Sequence, residues 1–168
     1  RAVGRVASGV RGVTLENEED EVVGMIAVHP NNKEETVLVL SEKGFGKRSY
    51  IDDPETGEAE YRITNRGGKG VKTINVTDKT GSLVGLLDVT EKEDLMITCE
   101  SGVTIRMPVT QISEQGRATQ GVKLIRVDEG DAIAAITNLE HEDEENGNGH
   151  AENGGEPAAG ESPESAES

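Results

Sequence analysis

One short signature recurs three times in the chain: Arg, three residues, Gly-Val, then a base. The copies are Arg5-Val6-Ala7-Ser8-Gly9-Val10-Arg11, Arg66-Gly67-Gly68-Lys69-Gly70-Val71-Lys72 and Arg117-Ala118-Thr119-Gln120-Gly121-Val122-Lys123, at intervals of 61 and 51 residues. Cations repeated in register suit a polyanion track, because each Lys or Arg can neutralise a phosphate and release its counterion without covalent chemistry. Gly9, Gly70 and Gly121 read as backbone positions of positive φ, or bulges, where the chain enters a strand. The middle copy is the richest: Asn65-Arg66-Gly67-Gly68-Lys69-Gly70 sets two bases among three Gly, in a loop whose backbone N–H groups can face an anion. It holds neither GxxxxGK[ST] nor GxGxxG between a strand and a helix, which argues against a nucleotide site.

Other reactive residue types point to no catalytic or metal site. His29, His141 and His150 fall in loops or tail without ligand partners at metal spacing. The acid run from Glu16 to Glu21 lacks the Asp-x-Asp-x-Asp-Gly order of a calcium loop and reads as a solvated turn. Tyr50 reads as a strand residue beside Lys47 and Arg48, and neither it nor Tyr61 is expected to act as a nucleophile. Cys99, the single cysteine, lies in an apolar strand pattern and reads as a small core residue. With no partner for a disulfide it fits a reducing compartment, the cytoplasm by default. Apolar stretches such as Val22–Val28 reach seven residues, far short of the roughly 20 of a membrane helix, so no membrane partner is expected.

Charge is unevenly spread along the 168 residues. The formal net charge is −16, yet ten of the 33 acids lie between Glu140 and Ser168, where there is no Lys or Arg. Residues 1–139 therefore carry only −6, and overall acidity does not exclude a nucleic-acid partner, since the local distribution of cations decides that. The tail, rich in Glu, Gly, Asn, Ser, Pro and Ala, is expected to be disordered. As a tethered polyanion it would compete with any polyanionic partner for the cations of the body; a solubilising role is the plainer alternative. The body, with two Tyr, one Phe and no Trp, must build its core from Val, Ile, Leu and Met.

Period-two patterns organise that body. Each signature copy is followed by a short alternating segment, Val13-Thr14-Leu15, Ile74-Asn75-Val76 or Ile125-Arg126-Val127. Next comes an apolar strand: Val22–Val28, Leu83–Val89 and Ala132–Ile136. A third element, Thr36–Leu40 and then Leu95–Cys99, leads through turns at Ser41–Gly44 and Glu100–Gly102 into a fourth, Phe45–Tyr50 and Val103–Met107, each carrying bases. Four short strands per repeat is the grammar of a propeller blade, and the extra residues of the first interval fit longer loops at 29–35 and 52–60. The reading is all-β, about two and a half blades over residues 1–139, followed by the acidic tail 140–168. The chain opens on Arg1 inside a repeated pattern, which predicts a piece of a longer protein.

Thr64-Asn65-Arg66-Gly67-Gly68-Lys69-Gly70 resembles the Gln-Arg-Arg-Gly-Gly-Lys/Arg-Gly box of the C-terminal domain family of DNA gyrase A-type chains, departing at Thr64 and Asn65. Gly44-Phe45-Gly46-Lys47-Arg48, the run Gln111–Val122 and the acidic ending are similar to that family too, so the likeness spans nearly all of residues 1–139. The resemblance implies a partial β-pinwheel, a propeller-like disc whose neighbouring blades exchange strands. It also implies wrapping of double-stranded DNA about a basic rim in support of ATP-dependent negative supercoiling by a type II topoisomerase. The partners implied are the gyrase B-type chain and a second A-type chain, in a heterotetramer joined through upstream regions. ATP and Mg2+ would be used elsewhere in that enzyme, with no cofactor in this piece.

Residues expected to contact phosphate, because they recur in register or lie on basic strands, are Arg5, Arg11, Lys47, Arg48, Arg66, Lys69, Lys72, Arg106, Arg117 and Lys123. Two alternatives stand beside this reading. One is the related C-terminal domain of the topoisomerase IV A-type chain; the other is a protein-interaction propeller, which exposed aromatic or apolar loop residues would favour.

Overall fold

The computed structural model describes residues 4–29 and 32–140. Among these, seven strands run in the order β1 (Thr36–Ser41), β2 (Phe45–Tyr50), β3 (Leu83–Val89), β4 (Glu93–Cys99), β5 (Thr104–Pro108), β6 (Val122–Lys123) and β7 (Ile133–Glu140), with one 3₁₀ turn at Val109–Gln111. The expected all-β architecture is observed, and among the described residues no helix is long and apolar enough to cross a membrane.

Two hairpins are the nuclei. β1 pairs antiparallel with β2, Leu40 facing Gly46, and β4 pairs with β5, Thr98 facing Thr104. Their turns use glycine in the left-handed region, Gly44 at φ 82° and Gly102 at φ 89°, where a Cβ would be strained. Each hairpin then takes a strand from the following repeat: β3 pairs antiparallel with β1 and β7 with β4. Both pairings carry a bulge at the same repeat position, Leu40/Ser41 and Thr98/Cys99. The first sheet gains a fourth strand from two repeats onward, giving the order β3-β1-β2-β6; the second has three, β5-β4-β7. A blade is thus assembled by exchange between repeats, as the pinwheel resemblance implied, whereas the strand pattern taken alone assigned each repeat four strands of its own.

Alternation explains the core. Leu38 and Leu40 of β1 meet Leu95, Ile97 and Cys99 of β4, with Val89, Val109, Ile112, Ile125 and Ile133 completing one cluster between the sheets. Val37 and Val39 point the other way and join Ile74, against which Ile26, Tyr61 and Leu86 pack. All six residues of β1 are therefore buried, as befits a strand covered on both faces. Cys99 is 4% exposed and burial raises its thiol pKa, in keeping with its reading as a core residue.

Four expected strands are absent among the described residues. Val22–Val28 is the counterpart of β3 and β7, which both pair with the hairpin of the preceding repeat, and the described residues hold no hairpin before it; Val22, Val23 and Met25 stay exposed. Residues 13–15, 74–76 and 125–127 form no ladder; the first two make isolated backbone bonds, Thr14 N–H to the Gly68 carbonyl at 3.0 Å and Asn75 N–H to the Thr119 carbonyl at 2.9 Å. Within the expected loop at 29–35 the described residues include a turn at Lys33–Glu34, and the loop at 52–60 is pinned by a bridge between Asp52 and Ala59. β7 ends at Glu140, the last of the described residues. The remainder of the expected acidic tail, with His141 and His150, lies outside the described residues.

Candidate nucleic-acid interface

The signature glycines behave as expected: Gly9, Gly70 and Gly121 sit at φ 82°, 82° and 75°. Among the described residues only the third copy docks as a strand. Val122 and Lys123 form β6 against Gly46 and Phe45, and a Cβ on Gly121 would come within 2.6 Å of the Gly46 carbonyl oxygen. The copy is thus an edge strand with its base at the end, and it delivers Lys123 beside the Phe45 ring.

Several expected phosphate ligands are turned inward. Lys47 is fully buried, and its ammonium donates to the Gly116 carbonyl and, at 2.5 Å, to that of Arg117. Burial lowers its pKa to about 8, with Arg117 adding to the fall and Glu60 opposing it. Arg48 is 4% exposed; its Nε donates to the Ile112 carbonyl at 2.9 Å, and its terminal nitrogen lies 3.3 Å from both Glu91 and Glu114. These two residues are corrected from rim to interior. Alternation sets only which face of β2 a residue takes, whereas the segment 109–119 folds over the strand and covers it: Ser113 and Gln115 bond the main chain of Arg48, and Gln115 also bonds the Ser49 hydroxyl.

Arg117 is half-buried, pairs with Glu60 at 3.1 Å and lies over the Tyr61 ring at 5.9 Å, so it too serves the body. Arg106 pairs with the buried Asp94 at 2.6 Å but keeps 42% of its side chain exposed. Lys69 pairs with Glu16 at 2.6 Å on the surface, which raises its pKa. Arg5, Arg11, Arg66, Lys72 and Lys123 are exposed, with no ion pair among the described residues. In the Gly-rich loop the N–H of Gly67 donates to the Gly12 carbonyl and that of Gly68 to the Asn65 carbonyl, so those two are committed within the chain.

Two lysines escaped the sequence reading. Lys79 Nζ lies 5.4 Å and Lys123 Nζ 5.8 Å from the centre of the Phe45 ring, and Lys43 stands in the adjoining turn, its Nζ donating to the Asp78 carbonyl at 2.5 Å. Of these three only Lys123 belongs to the recurring signature. Lys43 has Ser101 at its position in the second repeat and Lys79 has Glu129 at its position in the third, so no periodicity marked them. A second grouping also spans distant sequence: ligand atoms of His29, Glu35 and Asp88 lie within 4.8 Å of one another. Glu35 already accepts from His29 N, His29 Nδ1 and Asn32 Nδ2, which lowers its pKa without any cation. Tyr50 donates to Glu114 at 2.7 Å, and that acceptor raises the phenol's pKa. Asp20 caps the turn of the acid run by accepting from Glu16 N and Asn17 N, as a solvated turn requires.

Comparison with known proteins gives the same architecture. The family model for the DNA gyrase C-terminal domain, a β-propeller, matches residues 1–29, 35–53, 56–90 and 93–139. The DNA gyrase A chain of Staphylococcus aureus strain MRSA252 is 46% identical over 147 residues, covering 87% of this chain and 16% of the relative. The same protein from strain NCTC 8325 is 44% identical over 148 residues, with 88% and 16% covered. The chain thus spans about one sixth of the length of these relatives. Among solved structures, the C-terminal domain of DNA gyrase A aligns at TM-score 0.52 and 23% identity over 62% of this chain and 33% of that one. The C-terminal domain of DNA topoisomerase IV aligns at 0.62 and 18%, over 78% and 38%. At those identities the structural likeness carries the fold alone.

Proposed function

Because the chain belongs to the DNA gyrase A C-terminal domain family, we propose that it binds and wraps double-stranded DNA, supporting ATP-dependent negative supercoiling by a whole type II topoisomerase. The observation that carries this reading is the base closing each signature copy: Arg11, Lys72 and Lys123 are all exposed and free of ion pairs among the described residues. A row of such cations set by a repeated fold neutralises successive phosphates, and the released counterions supply affinity with little dependence on sequence. Bending DNA costs elastic energy, which contacts spread along a curved surface repay. Arg5, Arg66, Lys69 and Arg106 extend the same surface chemistry, while Lys47, Arg48 and Arg117 hold the blade in shape.

In this role the chain contributes no catalytic residue. DNA cleavage and ATP hydrolysis with Mg2+ belong to other regions of a cytoplasmic heterotetramer of two A-type and two B-type chains. Identity of 46% to gyrase A sets the gyrase reading ahead of the topoisomerase IV alternative, which shares the blades. The test is binding of linear duplex DNA by the full-length protein across a salt series, with DNA bending followed by fluorescence transfer between its ends. Salt-sensitive, sequence-tolerant binding with bending is expected. Absence of binding at low salt would leave the interaction scaffold as the better account.

A further inference from the structure

The tip of the first hairpin gathers three lysines from three separate parts of the chain. Lys43 comes from the β1–β2 turn, Lys79 from the turn before β3, and Lys123 from the end of β6. All three are exposed, and Phe45, buried at 8% exposure, fixes two of them by attracting the ammonium groups of Lys79 and Lys123. Glu42 and Asp78 lie in the same turns, yet none of the three lysines is ion-paired among the described residues; Lys43 bonds a neutral carbonyl. Two like charges held over one ring with a third in the adjoining turn, and no carboxylate paired to any of them, leave an anion as the partner their geometry favours.

The second hairpin gives an internal comparison. Ser41 faces Leu83 and Cys99 faces Ile133, which places Lys79 of one repeat level with Glu129 of the next. By the same register Lys43 corresponds to Ser101 and Phe45 to Val103. Asp131 accepts from the Ser101 N–H and hydroxyl there, so the second tip carries Asp128, Glu129 and Asp131 and no lysine. Repeats that share a backbone have opposite charge at corresponding tips. A purely structural role for the tip would not demand that contrast, because both hairpins fold with the same turn.

We infer that Lys79 and Lys123 at the Phe45 ring, together with Lys43 in the adjoining turn, form a contact point for the phosphate backbone of duplex DNA, and that the DNA path passes the first hairpin tip and avoids the second. This rests on the DNA-binding reading above. Lys79 and Lys43 are the new residues, and their contribution is to affinity and its salt dependence, not to base recognition.

The test compares the full-length protein with Lys43→Ala, Lys79→Ala, the double variant and Lys92→Ala, using mixed-sequence linear duplex DNA across a salt series. Lys92, exposed and paired with Glu34 at 3.2 Å, removes the same charge from a different place. Each tip substitution is expected to lower the slope of log affinity against log salt by about 0.9, and the double variant by about 1.8. Lys92→Ala is expected to leave the slope unchanged. Equal effects of Lys92→Ala and Lys79→Ala would reduce the result to net charge and overturn the contact point, as would a wild-type slope in the double variant while wild-type binding is salt-sensitive. If the wild-type protein itself does not bind, the function reading fails first and this inference with it.

Discussion

Lys47 Nζ and the main-chain oxygen of Arg117, residues from the first and third repeats, are 2.5 Å apart, with the Lys47 side chain itself fully buried. The base on β2 thus ties the third signature copy to the first hairpin. Lys47→Ala removes the buried stem and leaves the Gly116 and Arg117 carbonyls without their donor. A loss of about 2–4 kcal/mol is expected, read as a fall in the urea midpoint of this domain in the full-length protein. The salt slope of DNA binding is expected to stay at the wild-type value, in contrast to the tip lysines.

The same group makes stability depend on pH in a definite direction. Burial lowers the Lys47 pKa from the ordinary 10.5 to about 8. Between those values the unfolded chain holds a proton that the folded one has released, so raising pH through this window favours the folded state. Below about 8 both states are protonated and the dependence vanishes. The difference in urea midpoint between wild type and Lys47→Ala is therefore expected to widen from about pH 8 upward, towards the ordinary lysine value of 10.5, and a constant difference would contradict the assignment.

Arg48 is the second inward base, and its planar geometry is used: Nε serves the Ile112 carbonyl while a terminal nitrogen sits between Glu91 and Glu114. Lysine has one ammonium to offer and cannot span both directions. Arg48→Ala and Arg48→Lys are both expected to destabilise, by about 2–3 kcal/mol for alanine, with lysine restoring less than half, measured by thermal unfolding.

The two hairpins are legible in the sequence because the short apolar runs Thr36–Leu40 and Leu95–Cys99, and a Gly turn after each, are local signals. Exchange is not. Thr36 lies opposite Val89, 53 residues onward, and alternation says that a strand has an inner face without naming its neighbour. Lys47 and Arg48 mislead for a related reason, since the segment that buries them arrives from residues 109–119. Lys123 stands out because it recurs in register. Lys43 and Lys79 do not, because turn residues repeat in backbone shape but not in chemistry, as Glu129 opposite Lys79 demonstrates.

The acidic stretch beyond β7 bears on binding through charge alone. Its nine acids from Glu142 to Glu167 are tethered to a body whose exposed cations include Arg66, Lys72 and Lys123. A tethered polyanion competes at an effective concentration set by its tether, and salt screens that competition. Deleting residues 141–168 is expected to tighten DNA binding at low salt and to leave it unchanged at high salt, measured by fluorescence anisotropy. Equal affinity at low salt would leave the tail a solubilising role.

Gly44 and Gly102 occupy the same turn at φ 82° and 89°, but their surroundings differ. A Cβ on Gly44 would run into the Ile125 carbonyl oxygen and side chain, whereas one on Gly102 would meet nothing within 4 Å, because among the described residues the second sheet has no counterpart of β6 and the residues that follow it. Gly102→Ala therefore incurs only the cost of a left-handed backbone, about 1–2 kcal/mol. Gly44→Ala adds a clash with main chain that cannot move without dislodging Leu124, whose N–H donates to the Gly44 carbonyl at 2.9 Å. The expected order is Gly44→Ala well below Gly102→Ala in urea midpoint, with only the former speeding hydrogen exchange at Leu124. Equal losses would mean that the third repeat does not seat on the first hairpin as described, and the placement of Lys123 beside Phe45 would fall with it.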